Sequence, residues 1–552
     1  LVLKLMNFFD VIIIGGGING CGIARDCAQR GLKVLLLEKG DFAGGTSGAS
    51  SQMIHGGLRY LLSDVKTTEL ACKDSGYIQK IAPHLIFRIP FVYPVYQQKG
   101  ESSIKAKMFL ELLETLMERY DRYVPLKKGH SHCRLTSQEA LELEPGLNPE
   151  GLVGAITFDE WGIDVARLCF LNAFEAVSDG ALVQNHARVV GIIKEKNTVM
   201  GVSFVDEKTK QKKEAFAKYV VNACGPWAPQ LAQMAGASIK LRPGKGVHLM
   251  FDRRISNMAI NAKTIDGREV FLMPHENVSI LGTTDDDYFG DLDDQRVLKE
   301  EVDYLMEAMA EVFPAIKKAR MISSMSGVRP TLYARNVYED DLSREHEIVD
   351  HGVKEGVNGF VSIIGGKLAS YRIMSEEMTD FLCHKLGNTK ACQTHEKPLP
   401  GAKEVPDVKT LAREFNLEPY LVSRLVFRHG SVARQICEQM HQNPDGKTIM
   451  CACEPVTQAE IDYVLRHEQV AGLDDLKRRT RLSMGPCQGM NCQLAAVAAL
   501  QKANKIDDPL KELNDYRKKM WPNRAVILTE GQLHQEHLAR AVMYTVLCLD
   551  KI

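Results

Sequence analysis

Several absences narrow what this chain can be. No run of about 18 apolar residues occurs, the length a helix needs to cross a bilayer. Contact with a membrane is therefore expected at its surface or through a partner. Charge of one sign is not in excess: 69 lysines and arginines face 70 aspartates and glutamates, a formal net charge of −1. No global field draws the chain to nucleic acid, and any anion site must be local. The 14 cysteines are scattered, without the dense framework of a small secreted domain. That spacing suits a reducing compartment, where thiols pack or bind metals. No internal repeat, low-complexity tract or secretory signal is visible, because the apolar opening Leu1–Phe9 runs directly into a strand at Asp10.

What is present is ordinary globular material: 552 residues, 45% hydrophobic and 25% charged. At roughly 100–200 residues per domain, three or more units are expected. The opening reads strand, turn, helix, strand. The apolar run Asp10–Ile14 ends in Gly15-Gly-Gly17, a helical pattern runs to about Arg30, Gly31 closes it, and Lys33–Glu38 is a second strand. Gly15-x-Gly17-x-x-Gly20 thus stands between a strand and a helix. Its glycines permit a tight turn and close approach to a pyrophosphate, which the helix N-terminus attracts. Glu38 ends the next strand, placed to accept hydrogen bonds from an adenosine ribose and to repel a 2′-phosphate.

Further segments favour FAD over NAD. Thr46, Ser47, Ser50 and Ser51 follow the βαβ unit directly and offer hydroxyls to an extended pyrophosphate. Val-Val-Asn-Ala-Cys-Gly225 resembles the strand-and-glycine segment that passes the dinucleotide in FAD-containing oxidoreductases. Gly365-Gly366-Lys367-Leu368 reads as a late helix start facing the flavin pyrimidine, where helix N–H groups would stabilise charge on the reduced ring.

Asp10–Asp26, Ile54-His-Gly-Gly-Leu-Arg-Tyr60, Gly282-Thr-Thr-Asp285, Gly327-Val-Arg-Pro330 and Gly365–Leu368 together resemble the FAD-dependent glycerol-3-phosphate dehydrogenases. In the C-terminal third, Phe427-Arg-His-Gly430, Cys451-Ala-Cys453-Glu and Arg478–Gly489 resemble the catalytic, A-type chain of the anaerobic form, whereas Ile54–Tyr60 follows the aerobic pattern more closely. The resemblance implies an α/β fold like that of D-amino-acid oxidase, with a Rossmann-type FAD-binding part interleaved with a mixed-sheet substrate part. It also implies non-covalent FAD and oxidation of sn-glycerol 3-phosphate to dihydroxyacetone phosphate. Electrons would pass to a quinone through B- and C-type partner subunits, with the chain cytoplasmic and peripheral on the inner face of the cell membrane.

A phosphate dianion needs fixed cations, and arginine's planar fork suits it. Arg59, Arg329, Arg344 and Lys367 are the candidates. The resemblance places phosphate contact on Arg329, substrate contact on Arg59, Tyr60 and Lys367, and His248 near substrate. His55 and His248 are candidate bases expected to titrate near neutrality. Structural roles stay open for Arg329 as a turn residue, Arg344 as a surface ion pair and His248 as a core histidine.

Cys451-x-Cys453-x33-Cys487-x4-Cys492 is a four-thiolate set. It suits a [2Fe–2S] cluster, with zinc or free thiols as alternatives, and resembles the domain of bacterioferritin-associated ferredoxin. The basic run Lys477–Arg481 reads as a solvated helix face or a partner-docking surface. Ile104, Met108, Leu112, Leu113 and Leu116 form one stripe of a helix over 103–119, read as core-facing, with membrane contact the alternative.

The expected plan is an oxidoreductase unit over 8–385, with FAD-binding parts at about 8–75, 150–230 and 350–385 and substrate parts at about 76–149 and 231–349. A linker over 386–407, a helical connector over 408–445, an iron–sulfur domain over 446–505 and a helical tail over 506–552 follow. Two rival functions stay open: oxidation of an amino acid or 2-hydroxy acid, and a non-catalytic electron-transfer role.

Overall fold

The computed structural model describes residues 8–58, 61, 65–98, 100, 102–337, 342 and 345–549. Two large sheets organise the chain as far as Gly365. The first runs in the order His346–Asp350, Phe360–Gly365, Lys212–Asn222, Phe8–Ile14, Val34–Leu37, Leu182–Gln184. Its inner strands are parallel, and an antiparallel hairpin, Ala187–Glu195 with Thr198–Asp206, extends it from Lys212–Asn222. Val11, Ile12 and Ile13 are wholly buried, as expected for a parallel sheet covered on both faces. Helices Ile18–Gln29, Val165–Ser178 and Tyr371–Leu386 cover one face. The last glycine of the fingerprint is forced: a Cβ on Gly20 would lie 1.8 Å from the Gly15 carbonyl oxygen.

The second sheet has nine strands, in the order Asp286–Asp287, Leu241–Phe251, Val278–Gly282, Glu269–His275, Ala259–Lys263, Ile86–Tyr96, Leu152–Ile163, Cys133–Thr136, with Met321–Leu332 added on Leu241–Phe251. It is mixed, because Ala259–Lys263 pairs parallel to Ile86–Tyr96 while its neighbours are antiparallel. Leu152–Ile163 belongs here and not, as expected, to the FAD-binding part. Its ladder with Ile86–Tyr96 runs from Ile163 opposite Ile86 to Leu152 opposite Tyr96. The chain returns to the first unit with the helix at Val165.

The stripe on helix Ser103–Tyr120 is split. Ala106, Leu110, Leu113, Met117 and Tyr120 face the core, whereas Ile104, Met108 and Leu112 are each 66% exposed. At four-residue spacing these three share one side of the helix, turned away from the sheet. The core-facing reading therefore holds for Leu113 and fails for them.

The proline-bearing stretch after Leu386 has no helix or strand before Val408, yet it is not a free tether. Arg25 donates to the carbonyls of Thr394 (3.2 Å) and Lys397 (2.5 Å). The buried Leu399 donates its N–H to Ile81 O at 2.8 Å. Beyond it, the described residues form eight α-helices from Val408 to Val546 and a short hairpin, Ile449–Cys451 with Val456–Thr457, around two small cores.

The basic run is corrected. Arg479 and Arg481 are not solvated: they are 0% and 4% exposed. Arg481 lies between Glu276 (3.1 Å), Glu454 (3.1 Å) and Asp164 (3.7 Å). Nearby, Arg167 Nη1 donates to both Glu468 oxygens (2.7 and 2.9 Å), and Arg428 forks through Nε and Nη2 onto Glu460 (2.6 and 2.7 Å). Charge buried this deeply persists because each guanidinium meets a carboxylate.

Two histidines at this joint are buried with neither ring nitrogen hydrogen-bonded to the protein, His84 and His275. Burial, with Arg167 near His84 and Arg481 near His275, pushes each down to about 3. The unfolded chain takes up these protons near pH 6.5 and the folded chain does not, so stability is lost as pH falls below about 6.5. The urea midpoint should fall between pH 6.5 and 5, each histidine adding up to about 1.4 kcal/mol per pH unit. His275→Met should flatten that slope; an unchanged slope would contradict the assignment.

Candidate functional site

One cavity of about 1490 Å³ runs from the glycine turn to the second sheet. It exceeds the roughly 300–1,000 Å³ of common small-ligand pockets and has room for a dinucleotide. Gly15, Gly17, Glu38, Gly225, Gly366, Lys367 and Leu368 all line the cavity, from turns that follow strands of the first sheet. Gly15 has φ +111°, and a Cβ there would lie 2.6 Å from the Ala223 carbonyl oxygen. Glu38 accepts the N–H of Gly16 (2.6 Å) and of Gly40 (2.7 Å). Burial nevertheless holds its carboxyl above the usual range.

The four hydroxyls divide. Ser47 Oγ accepts the Ile18 N–H at 3.0 Å, at the helix N-terminus where a pyrophosphate would lie. Thr46 donates to Val328 O (2.5 Å) and Ser50 to Ser47 O (2.9 Å). Ser51 faces His248, Oγ to Nε2 at 2.9 Å. Gly365 and Gly366 have φ +77° and +84° and lead through a short turn into helix Tyr371–Leu386.

The second sheet supplies the opposite wall. His248 and Arg329 stand on the paired strands Leu241–Phe251 and Met321–Leu332 and both line the cavity. Glycines make room for them. A Cβ on Gly246 would lie 2.5 Å from the Arg329 guanidinium, and one on Gly282 2.4 Å from the His248 ring. Arg329 donates Nη1 to Asp285 Oδ1 (2.9 Å) and Thr284 O (3.2 Å), and Nη2 to Thr283 Oγ1 (3.0 Å). Its side chain keeps 23% of its surface open.

Burial, with Arg329 close by, pushes His248 down to about 3. The expectation that it titrates near neutrality is thereby corrected; it is a neutral ring in the folded protein. His55 and Lys367 line the same cavity. Arg59, Tyr60 and Arg344 lie outside the described residues.

Two sets of residues have roles that the sequence does not announce. Thr283 and Asp285 stand within a motif whose spacing assigns them no task, and they orient Arg329. Glu160, in no motif, accepts the Gly56 N–H (3.3 Å), Tyr120 OH (2.5 Å) and Lys127 Nζ (3.0 Å). It fixes the turn that presents His55.

The cysteine set gathers as two facing pairs, Cys451 with Cys492 and Cys453 with Cys487, each pair within electrostatic reach of the other. The Cys451 thiol and Ser483 (3.4 Å) hold the Cys492 thiol down to about 7. A Cβ on Gly485 would strike Cys453 at 2.3 Å, so glycine is needed beside it. Among the described residues, no group of three or more histidine, cysteine or carboxylate side chains stands as a set that would hold a metal ion.

Residues 10–372 match the FAD dependent oxidoreductase family, and residues 392–508 match the C-terminal domain of alpha-glycerophosphate oxidase. The A-type chain of the anaerobic glycerol-3-phosphate dehydrogenase of Escherichia coli K12 is 34% identical over 551 residues, 98% of this chain and 97% of that protein. The chain belongs to the FAD-dependent glycerol-3-phosphate dehydrogenase family. Another member, the aerobic enzyme of Bacillus subtilis, is 33% identical over 405 residues, 71% of each chain. The solved structure of the Bacillus halodurans glycerol-3-phosphate dehydrogenase complexed with FAD superposes with a TM-score of 0.69 at 26% identity, covering 99% of this chain and 96% of that one. As a family member the chain is an FAD-dependent enzyme with the D-amino-acid-oxidase-like fold, and the glycine turn, Glu38, Ser47 and the long cavity fit that cofactor.

Arg329→Ala should lower kcat/KM about 10- to 150-fold, the equivalent of losing a charged hydrogen bond worth about 1.5–3 kcal/mol, with FAD still bound. Near-normal kinetics in a folded variant would remove Arg329 from the site.

Proposed function

We propose that the chain oxidises sn-glycerol 3-phosphate at C2, giving dihydroxyacetone phosphate. The observation that carries this reading is a fixed guanidinium, Arg329, lining the same cavity as Lys367 and the dinucleotide-binding residues Gly15, Gly17 and Glu38. When bound, FAD supplies the hydride acceptor, flavin N5. The protein supplies the rest. Arg329, oriented by Asp285 and Thr283, grips the phosphate together with Lys367, and Arg59, Tyr60 and Arg344 are proposed to complete that grip. His55 and His248 are the candidates to take the hydroxyl proton. His248 is held in place by Ser51, and a phosphate dianion on Arg329 offsets the second cause of its lowered basicity, the neighbouring cation. Thr46, Ser47, Ser50, Ser51 and Gly225 belong to the wall along the cofactor, with Ser47 at the pyrophosphate.

The thiols Cys451, Cys453, Cys487 and Cys492 are proposed to ligate a [2Fe–2S] cluster, with zinc the lesser alternative. Their gathering into facing pairs supports this: two irons span more space than a single ion. A cluster would relay electrons one at a time to B- and C-type subunits and on to a quinone. Relatives whose names mark them as one part of a multi-subunit anaerobic enzyme support the partners. No helix among the described residues is long and apolar enough to cross a membrane. Membrane association is proposed as peripheral, on the cytoplasmic face, and the exposed Ile104, Met108 and Leu112 support it.

Anaerobic sn-glycerol 3-phosphate should bleach the flavin of the purified protein, and glycine, sarcosine and 2-hydroxyglutarate should not. Bleaching by one of those three alone would replace the substrate assignment. Cys487→Ser should lose the iron and the EPR signal of the reduced protein while the flavin still bleaches. Equal iron in variant and parent would defeat the cluster.

A further inference from the structure

The loop that follows Glu38 is held from outside the FAD-binding unit. Asp41 is buried, and its carboxylate accepts Arg479 Nη1 (3.0 Å) and Nη2 (2.7 Å), Arg478 Nη1 (3.2 Å) and Asn185 Nδ2 (3.1 Å). Arg479 lies over the rings of Phe170 (4.4 Å) and Phe42 (5.7 Å), the latter in the same loop. One residue before Asp41, the Gly40 carbonyl accepts the His186 N–H (2.7 Å), and His186 Nε2 pairs with Asp475 at 2.9 Å. Arg478, Arg479 and Asp475 all come from the helix Leu473–Thr480, more than 430 residues along the chain from Asp41. Asp474, Asp475 and Arg478 also line the dinucleotide cavity. The same helix ends at Arg481, in the left-handed region at φ +65°, and opens directly into the loop bearing Cys487 and Cys492.

We propose that this helix is part of the dinucleotide site. Arg478 and Arg479 clamp Asp41 and so hold the loop after Glu38 in the form that retains FAD. Docking of the thiol-bearing unit and FAD binding then form one coupled equilibrium. The physical reason is charge. Asp41 is buried, so its carboxylate is costly without the two guanidiniums. With the helix removed, the loop would turn Asp41 to water and carry Gly40, a donor to Glu38, with it. Coupling of this kind is reciprocal: what the helix does for FAD affinity, FAD does for helix docking. Arg478 and Arg479 are positioning residues, and the inference does not depend on which substrate is oxidised or whether iron is bound.

The test is FAD titration of the full-length apoprotein, followed by flavin fluorescence, with limited trypsin digestion alongside. Arg478→Ala and Asp41→Asn should each raise the FAD Kd about tenfold or more, the loss expected for one charged hydrogen bond. Arg478→Lys should recover part of the affinity. In the parent, FAD should slow trypsin cleavage after Lys477 and Arg478; in Asp41→Asn that protection should shrink. Should Asp41→Asn fail to fold, Arg478→Ala, on the partly open side of the clamp, decides the matter. A folded Arg478→Ala with an FAD Kd within about twofold of the parent would overturn the proposal, as would equal trypsin protection with and without FAD. A merely structural helix would lower the melting temperature of apo and FAD-bound protein alike and leave Kd in place.

Discussion

A cation inside a cavity must be held without being cancelled, and the substrate end of this protein depends on that balance at Arg329. One carboxylate, Asp285, takes Nη1, which also reaches the Thr284 carbonyl, while the Thr283 hydroxyl takes Nη2. The guanidinium is thereby oriented, lines the cavity and keeps 23% of the side chain's surface exposed. The glycines at 244, 246 and 282 are the complement of this arrangement. Each leaves the volume that Asp285, Arg329 or His248 fills. The same positive charge helps to keep His248 neutral, so occupancy by an anion and basicity of the histidine rise together.

A second balance of charge governs the joint between the FAD-binding unit and the helical C-terminal third. Arg167, Arg428, Arg479 and Arg481 are all buried there and all matched. Removing one partner from such a pair costs about 3–5 kcal/mol. A docking that separated these partners would therefore carry a heavy penalty. The value of the joint is geometric. It fixes the cysteine-bearing loop relative to the dinucleotide cavity, a requirement for any electron relay between the two.

Local rules made the glycine turn, Glu38 and the cysteine spacing legible from sequence, because each is written in consecutive residues with a period or a gap. Arg329 and Lys367 were legible as chemistry and through family likeness, and the fold puts them on one cavity. Asp285 and Glu160 were not: their meaning is a contact across 44 and 104 residues with Arg329 and Gly56, and no pattern encodes it. Lys477–Arg481 misled for a physical reason. A run of basic residues looks solvated until the acids that match it, Asp41, Asp164, Glu276 and Glu454, arrive from elsewhere in the chain. The helix at Ser103–Tyr120 misled in the opposite sense, since apolar spacing alone does not say which of two apolar faces meets the sheet.

The central claim is that one cavity seats the cofactor against the first sheet and an anionic substrate against Arg329. The most direct measurement is an experimental structure of the FAD-loaded protein with dihydroxyacetone phosphate bound. The account predicts the phosphate within hydrogen-bonding reach of Arg329 and Lys367, and the carbonyl carbon within about 3–3.5 Å of flavin N5. A phosphate seated away from Arg329, or a flavin whose N5 faces a different wall, would contradict it.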